Sequence, residues 1–157
     1  MLSKNFKLKE FTCSATATRL GICNEPPQSV ISNLQRLCQE VLQPIRDRYG
    51  KSIIVSSGYR SRQLNTAIGG FQNSDHMYGC AADIKASPPT PPPFGRGVNI
   101  LTSQQRANKE LFDLILGMIK NGDLTVKQLI DEKNYSWIHI SFQDGRTSKI
   151  NQVLHLK

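Results

Sequence analysis

Residues 73–84, NSDHMYGCAADI, carry His76 and Asp83 with six residues between them, and His139 follows far downstream in SWIHISF, residues 136–142. Two imidazoles and one carboxylate are a ligand set for catalytic zinc, because three protein donors leave a fourth position open for water. Small residues at Gly79, Ala81 and Ala82 let the chain fold closely enough for His76 and Asp83 to meet one ion. Alternation along SWIHISF sends Ile138, Ile140 and Phe142 to one face and Trp137, His139 and Ser141 to the other. In CAADIKA the same rule turns Ala82 and Ile84 inward and places Asp83 on the opposite face with Ala81 and Lys85. Asp83 and His139 thus project from non-core faces, and His76 lies in the turn that feeds one of the strands. Taken singly, a strand histidine also fits a hydrogen-bonded structural group, and an aspartate before an apolar residue also fits a cap or turn. Spacing alone leaves both readings open.

The elements that must hold these residues are legible. QSVISNLQRLCQEVLQPIRDRYG places Val30, Leu34, Leu37, Val41 and Ile45 at helical spacing, with Ser29 as N-cap, Gly50 as stop and Pro44 as a kink in the last turns. KSIIVSSGYR reads as a short strand ending in a Ser-Gly turn, and SRQLNTAIGG as a short helix closed by glycines. CAADIKA is a second strand, TSQQRANKELFDLILGMIKNG a long helix capped by Ser103, and LTVKQLI and SWIHISF two more strands. Between the second strand and the long helix, residues 87–99 hold most of the prolines, so this stretch reads as a stiff, partly polyproline loop, either plain surface or a rim beside Asp83. Helices and antiparallel-looking strands mix without a regular βαβ repeat, which makes the class α+β.

At 157 residues and 38% hydrophobic content, the chain has room for one ordinary core, a single domain over 1–157 with residues 1–28 as a lead-in segment. The net charge of +8 favours a polyanionic partner, but the basic residues are scattered without a run or interleaved aromatics, so nucleic acid is not the expected partner. MLSKNFKLKE has no apolar signal-peptide region and no run of some 18 apolar residues occurs, so the expectation is synthesis in the cytoplasm without a membrane span. Cys13, Cys23, Cys38 and Cys80 form no C-x-x-C pair and read as reduced thiols unconnected to a metal, with Cys38 on the apolar stripe of a helix.

SDHMYGCAAD reads as S-x-H-x-x-G-x-A-x-D and resembles the zinc-binding signature of the M15 peptidases, the D-alanyl-D-alanine carboxypeptidase and hedgehog-type fold family. SSGYRSRQLNTAIGG is similar to the S-G-Y-R-S...L-N...G-G segment of that family, and QLIDE followed by WIHISF resembles its carboxy-terminal part. FKLKEFTCSATATRLGICNEPP is similar to the lead-in of small M15 members found in phages and prophages. The resemblance implies a small antiparallel sheet with helices packed on one side and a zinc cleft on the other. It implies Zn²⁺ held by His76, Asp83 and His139, with Arg60 meeting the substrate carboxylate or the carbonyl oxygen under attack. Ser74 matches the signature serine, which supports the substrate or the loop, and Trp137 is expected as a wall of the cleft. His155 matches nothing and reads as structural.

One departure concerns the catalytic acid. Many relatives carry it three residues before the last histidine, as E-x-x-H or D-x-x-H, and Ser136 stands there in this chain. The small phage-type relatives carry a glutamate just after QLI, the place of Glu132, with Asp131 as the adjacent competitor and a solvated DEKN turn as the plain reading. The activity implied is hydrolysis of peptidoglycan stem peptides by a monomer, at a D-Ala-D-Ala carboxy terminus or at an internal bond as an endolysin cuts. That work at the cell wall implies release by export or phage lysis. The alternative is a catalytically silent zinc-binding phage structural or wall-binding module.

Overall fold

A computed structural model describes residues 1–87 and 101–156. Two short helices, α1 (Leu8–Thr12) and α2 (Ala15–Leu20), precede α3 (Gln28–Arg36), which continues through a π-helical segment, Leu37–Leu42, into α4 (Gln43–Tyr49). Then come β1 (Ile53–Ser57), α5 (Arg62–Ala67), a 3-10 turn at Asp75–Tyr78, β2 (Ala81–Ala86), α6 (Ser103–Lys120), β3 (Gln128–Glu132), β4 (Trp137–Ser141) and β5 (Gln152–Leu156). The helices α1, α2 and the 3-10 turn, and the strand β5, were not evident in the sequence pattern. The Pro-rich loop expectation falls on residues 88–99, outside the described residues.

The helix run differs from expectation at its start. Pro27, not Ser29, is the N-cap, its carbonyl accepting the N–H groups of Val30 and Ile31. Pro44 acts through the turn before it. The Gln43 N–H reaches back to the Cys38 carbonyl, a wide π-type bond. A proline has no N–H to return to the preceding turn and its ring crowds the carbonyl there, so the widened turn makes room for it. Gly50, at φ +71°, ends the run as expected. In α6 the cap is Thr102, one residue before the expected Ser103. Thr102 Oγ1 accepts the Gln105 N–H at 3.1 Å while Gln105 Oε1 accepts the Thr102 N–H at 2.9 Å, a reciprocal pair that Ser103 cannot make from inside the first turn.

The sheet order is β1-β2-β4-β3-β5. The pairs β1–β2, β2–β4 and β4–β3 are antiparallel, but β3–β5 is parallel, which corrects the expectation of a wholly antiparallel sheet. The topology fits this: β4 is flanked on both edges by β2 and β3, so the chain returning from β4 pairs on the outer edge of β3, running against β4 and therefore with β3. One sheet face, Ala82, Ile84, Ala86, Leu129, Ile138 and Ile140, joins Leu34, Leu37, Cys38, Val41 and Ile45 and the α6 residues Leu111, Phe112 and Ile115 in a single buried cluster. Burying that face fixes which side chains look the other way, since a one-residue slip would exchange the two faces.

Candidate metal centre

The opposite face carries the chemistry. Asp83 on β2 is the register partner of His139 on β4, so their side chains stand side by side. His76 reaches them from the 3-10 turn that leads into β2. His139 Nδ1 lies 2.9 Å from Asp83 Oδ1, His76 Nε2 lies 3.2 Å from the same oxygen, and the two ring nitrogens are 3.3 Å apart. In a tetrahedral zinc site with bonds of about 2.0–2.1 Å, ligand atoms stand about 3.3 Å from one another. The three donor atoms therefore fit one zinc ion as they stand.

His76 is buried and its Nδ1–H donates to the Gly58 carbonyl at 2.7 Å, which leaves Nε2 with its lone pair facing the cluster. Burial pushes the His76 imidazole below its ordinary pKa, although Asp83 pulls the other way, so the ring is neutral near pH 7 as a ligand must be. Burial works against ionisation of Asp83, but its interactions with the adjacent His76 and His139 outweigh that and hold its carboxyl far below the usual range. Arg60 Nη2 donates to Asp83 Oδ2 at 2.7 Å and Arg60 Nε to Ser57 Oγ at 3.0 Å.

Glycine permits two of these placements. A Cβ on Gly58 would lie 2.5 Å from the Phe11 Cα, so only glycine lets α1 close over the turn that receives His76. Gly79, at φ +69°, would put a Cβ 2.7 Å from the Val30 carbonyl oxygen.

A cleft of about 290 Å³ is lined by Arg60, Phe71, Ser74, His76, Asp83, Glu132, Trp137 and His139. Every residue singled out for the site from sequence thus lies in one cleft, joined by Phe71, which the sequence reading passed over. Phe71 is 85% exposed, yet its carbonyl accepts Asn65 Nδ2–H at 2.9 Å and the Ser74 N–H at 3.0 Å. An apolar ring held out in water by an anchored backbone marks it in the structure, and no sequence pattern pointed to it. Trp137 carries Lys133 Nζ over its ring at 5.3 Å.

Asp131 and Glu132 both belong to β3, not to a solvated turn, and alternation separates them. Glu132 pairs with Trp137 on the cleft side. Asp131 is buried and contacts His155 Nδ1 of β5, whose ring packs on Phe112. Ser136, in the position of the usual catalytic acid, donates its hydroxyl to the Lys133 carbonyl within the β3–β4 turn. That turn takes three successive left-handed residues, Lys133, Asn134 and Tyr135, and buried Asn108 of α6 clamps it by donating Nδ2–H to the carbonyls of Tyr135 and Ser136. No sequence pattern pointed to Asn108.

The four cysteines are free thiols, Cys38 and Cys80 buried and Cys13 and Cys23 exposed, and none is among the residues that converge on the cleft.

Two histidines and a carboxylate converging in a cleft, with an acid and an arginine beside them, make a metallohydrolase type of site. The sequence model of the family described as Peptidase M15 matches residues 4–106, and the chain belongs to that family. The match takes in Arg60, Ser74, His76 and Asp83, while Glu132, Trp137 and His139 lie beyond it and reach the cleft through β3 and β4. Over 46 residues the chain is 50% identical to a zinc D-Ala-D-Ala carboxypeptidase of Streptomyces albus G; this covers 29% of the chain and 18% of that enzyme. No helix of the described residues is long and apolar enough to cross a membrane.

Proposed function

We propose that the chain is a zinc-dependent peptidase that hydrolyses amide bonds in peptidoglycan stem peptides, working as a monomeric single domain. The observation that carries this reading is the triangle of His76 Nε2, Asp83 Oδ1 and His139 Nδ1, spaced as zinc ligands, in a cleft that also holds Glu132 and Arg60. The name of the Streptomyces albus G relative supplies the substrate class. Zinc bound there supplies Lewis acidity and brings the pKa of water toward neutrality.

The residues do the rest. Glu132 takes the proton that the attacking water gives up and delivers it to the leaving nitrogen. Arg60 is fixed through Nε and Nη2, and its Nη1 has no partner among the described residues, so it donates to the carbonyl oxygen as negative charge grows there. Phe71 and Trp137 flank the peptide and limit water, and Ser74 supports it at the base of the signature turn.

Digestion of purified peptidoglycan by the zinc-loaded protein, with fragments identified by mass, tests the reading. Stem-peptide fragments are expected. A protein with full zinc that releases none is instead the silent wall-binding module.

A further inference from the structure

Residues 58–61 leave the sheet where β1 ends, so their main-chain groups need partners elsewhere. The turn that carries His76 supplies two. The Gly58 carbonyl accepts His76 Nδ1–H at 2.7 Å, and the Arg60 N–H donates to the His76 carbonyl at 3.2 Å. Three more bonds come from the lead-in segment. The Tyr59 N–H donates to the Phe11 carbonyl at 2.7 Å, while Asn24 Nδ2 donates to the Tyr59 carbonyl at 3.1 Å and Asn24 Oδ1 accepts the Ser61 N–H at 2.7 Å.

A carbonyl before Arg60 and an N–H after it are the two groups that a neighbouring strand would engage in a parallel ladder. The Asn24 carboxamide stands in for such a strand, with Arg60 straddled between its bonds. The other Nδ2 hydrogen goes to the Thr12 carbonyl at 3.0 Å, so one amide joins the end of α1 to both sides of Arg60. Asn24 sits in the extended stretch between Gly21, which closes α2 at φ +63°, and Pro27, which caps α3. Two carbonyls here need donors and one N–H needs an acceptor. A carboxamide meets all three, whereas a carboxylate of the same shape would turn an oxygen toward both carbonyls.

We propose that Asn24 is a positioning residue for Arg60: by holding the chain on both sides of it, Asn24 aims the guanidinium into the cleft. Asn24 itself is not among the residues that line the cleft, so it acts through Arg60 and not on substrate. This rests on the peptidase reading above and on the role given there to Arg60. The lead-in segment is then a working part of the site and more than a cover for its turn.

Asn24→Asp, nearly isosteric, is the test in the zinc-loaded full chain. Arg60 Nε–H, held on Ser57 Oγ, is followed by NMR and assigned by its absence from Arg60→Lys protein. Its exchange with solvent should speed up by about tenfold or more in the folded Asn24→Asp protein. Zinc should stay at about one per chain. On stem peptide kcat should fall by about ten- to a hundredfold, with KM within about threefold of wild type. In an Arg60→Lys background the same change should cost less than about threefold more, because the two residues act as one unit.

Gln43→Ala is the control. Gln43 ties Ser3 and Asn5 of the lead-in segment to the helix run, so its loss lowers Tm without reaching Arg60, and Nε–H exchange and kcat should stay at wild-type values. Should Asn24→Asp not fold, Asn24→Ala takes its place under the same readouts. Wild-type exchange and kcat in the folded variant, losses that multiply in full in the double variant, loss of zinc, or an equal loss in Gln43→Ala would each overturn the proposal. Where wild type cleaves no stem peptide, the peptidase reading fails and Nε–H exchange decides alone: faster exchange upholds Asn24 as the holder of Arg60, and unchanged exchange overturns it.

Discussion

Asp75 and Asp83 are both buried carboxylates of one short segment, yet they are built for opposite ends. Asp75 accepts from Lys127 Nζ at 2.7 and 2.8 Å and from Arg146 Nη2 at 2.8 Å, and Arg146 in turn pairs with Asp144 and stacks on Tyr78 at 3.7 Å. Every charge there meets a permanent opposite charge. The cluster ties the turn carrying His76 to the start of β3 and to the chain after β4. Asp83 has one permanent cation, Arg60, and otherwise faces two imidazoles whose nitrogens converge on the same oxygen. The first cluster is closed and holds the backbone; the second keeps donor atoms aimed at a common point on a cleft. The difference teaches that burial of a charged group does not mark a site, whereas unspent lone pairs that converge do.

The largest effect that tests this contrast is loss of metal. Asp83→Asn, His76→Ala or His139→Ala should reduce zinc, measured by elemental analysis, from about one per chain to under about a tenth of that, whereas His155→Ala should bind normally. Retention of full zinc in the three site variants breaks the comparison outright. Next comes Glu132→Gln, expected to keep zinc and fold while lowering the rate of stem-peptide cleavage by roughly a hundredfold to ten-thousandfold. Asp131→Asn, on the other face, should leave kcat near wild type; a reversed outcome would move the base by one residue.

Lys127→Met attacks the closed cluster. It leaves Asp75 with Arg146 alone, and breaking a buried pair costs about 3–5 kcal/mol, to be read in thermal or denaturant unfolding. Zinc stoichiometry in the folded protein should survive, and its loss would show that the two clusters are not separable. Phe71→Ala should raise KM by about three- to tenfold with kcat and Tm unmoved, because the ring is exposed on the cleft wall and packs on no core, so under the proposed function its loss is felt by substrate alone. Smallest of all, thiol titration should count four reactive cysteines after denaturation but only Cys13 and Cys23 in the native protein.

Neighbouring residues show how much of the site could be read without coordinates. The alternation of β2 and β4 places Asp83 and His139 opposite the core face, and the register partnership of the two is what alternation requires if the strands are adjacent. The same rule separates Asp131 from Glu132 once both are known to be in β3. The sequence left that last point open, because DEKN has the composition of a turn and only pairing with Trp137 and Leu156 extends the strand through Glu132. The N-caps were misplaced by two residues at α3, where the Pro27 carbonyl caps the turn and leaves Ser29 inside it, and by one at α6, where the adjacent hydroxyls of Thr102 and Ser103 both stood at the helix start.

What the sequence determined by itself is local: the periodicities that make the helices and strands, the glycines that allow close approach or a left-handed turn, and which face of each strand carries His139 and Asp83. Only the tertiary structure decided the rest. The parallel edge strand β5, the Lys127 and Arg146 partners of Asp75, the Asn108 clamp and the arrival of Phe71 and Glu132 in one cleft all join residues far apart in the chain. Such contacts leave no periodic trace, since what selects them is the burial of a shared core and the pairing of polar groups within it, and both are properties of the folded whole.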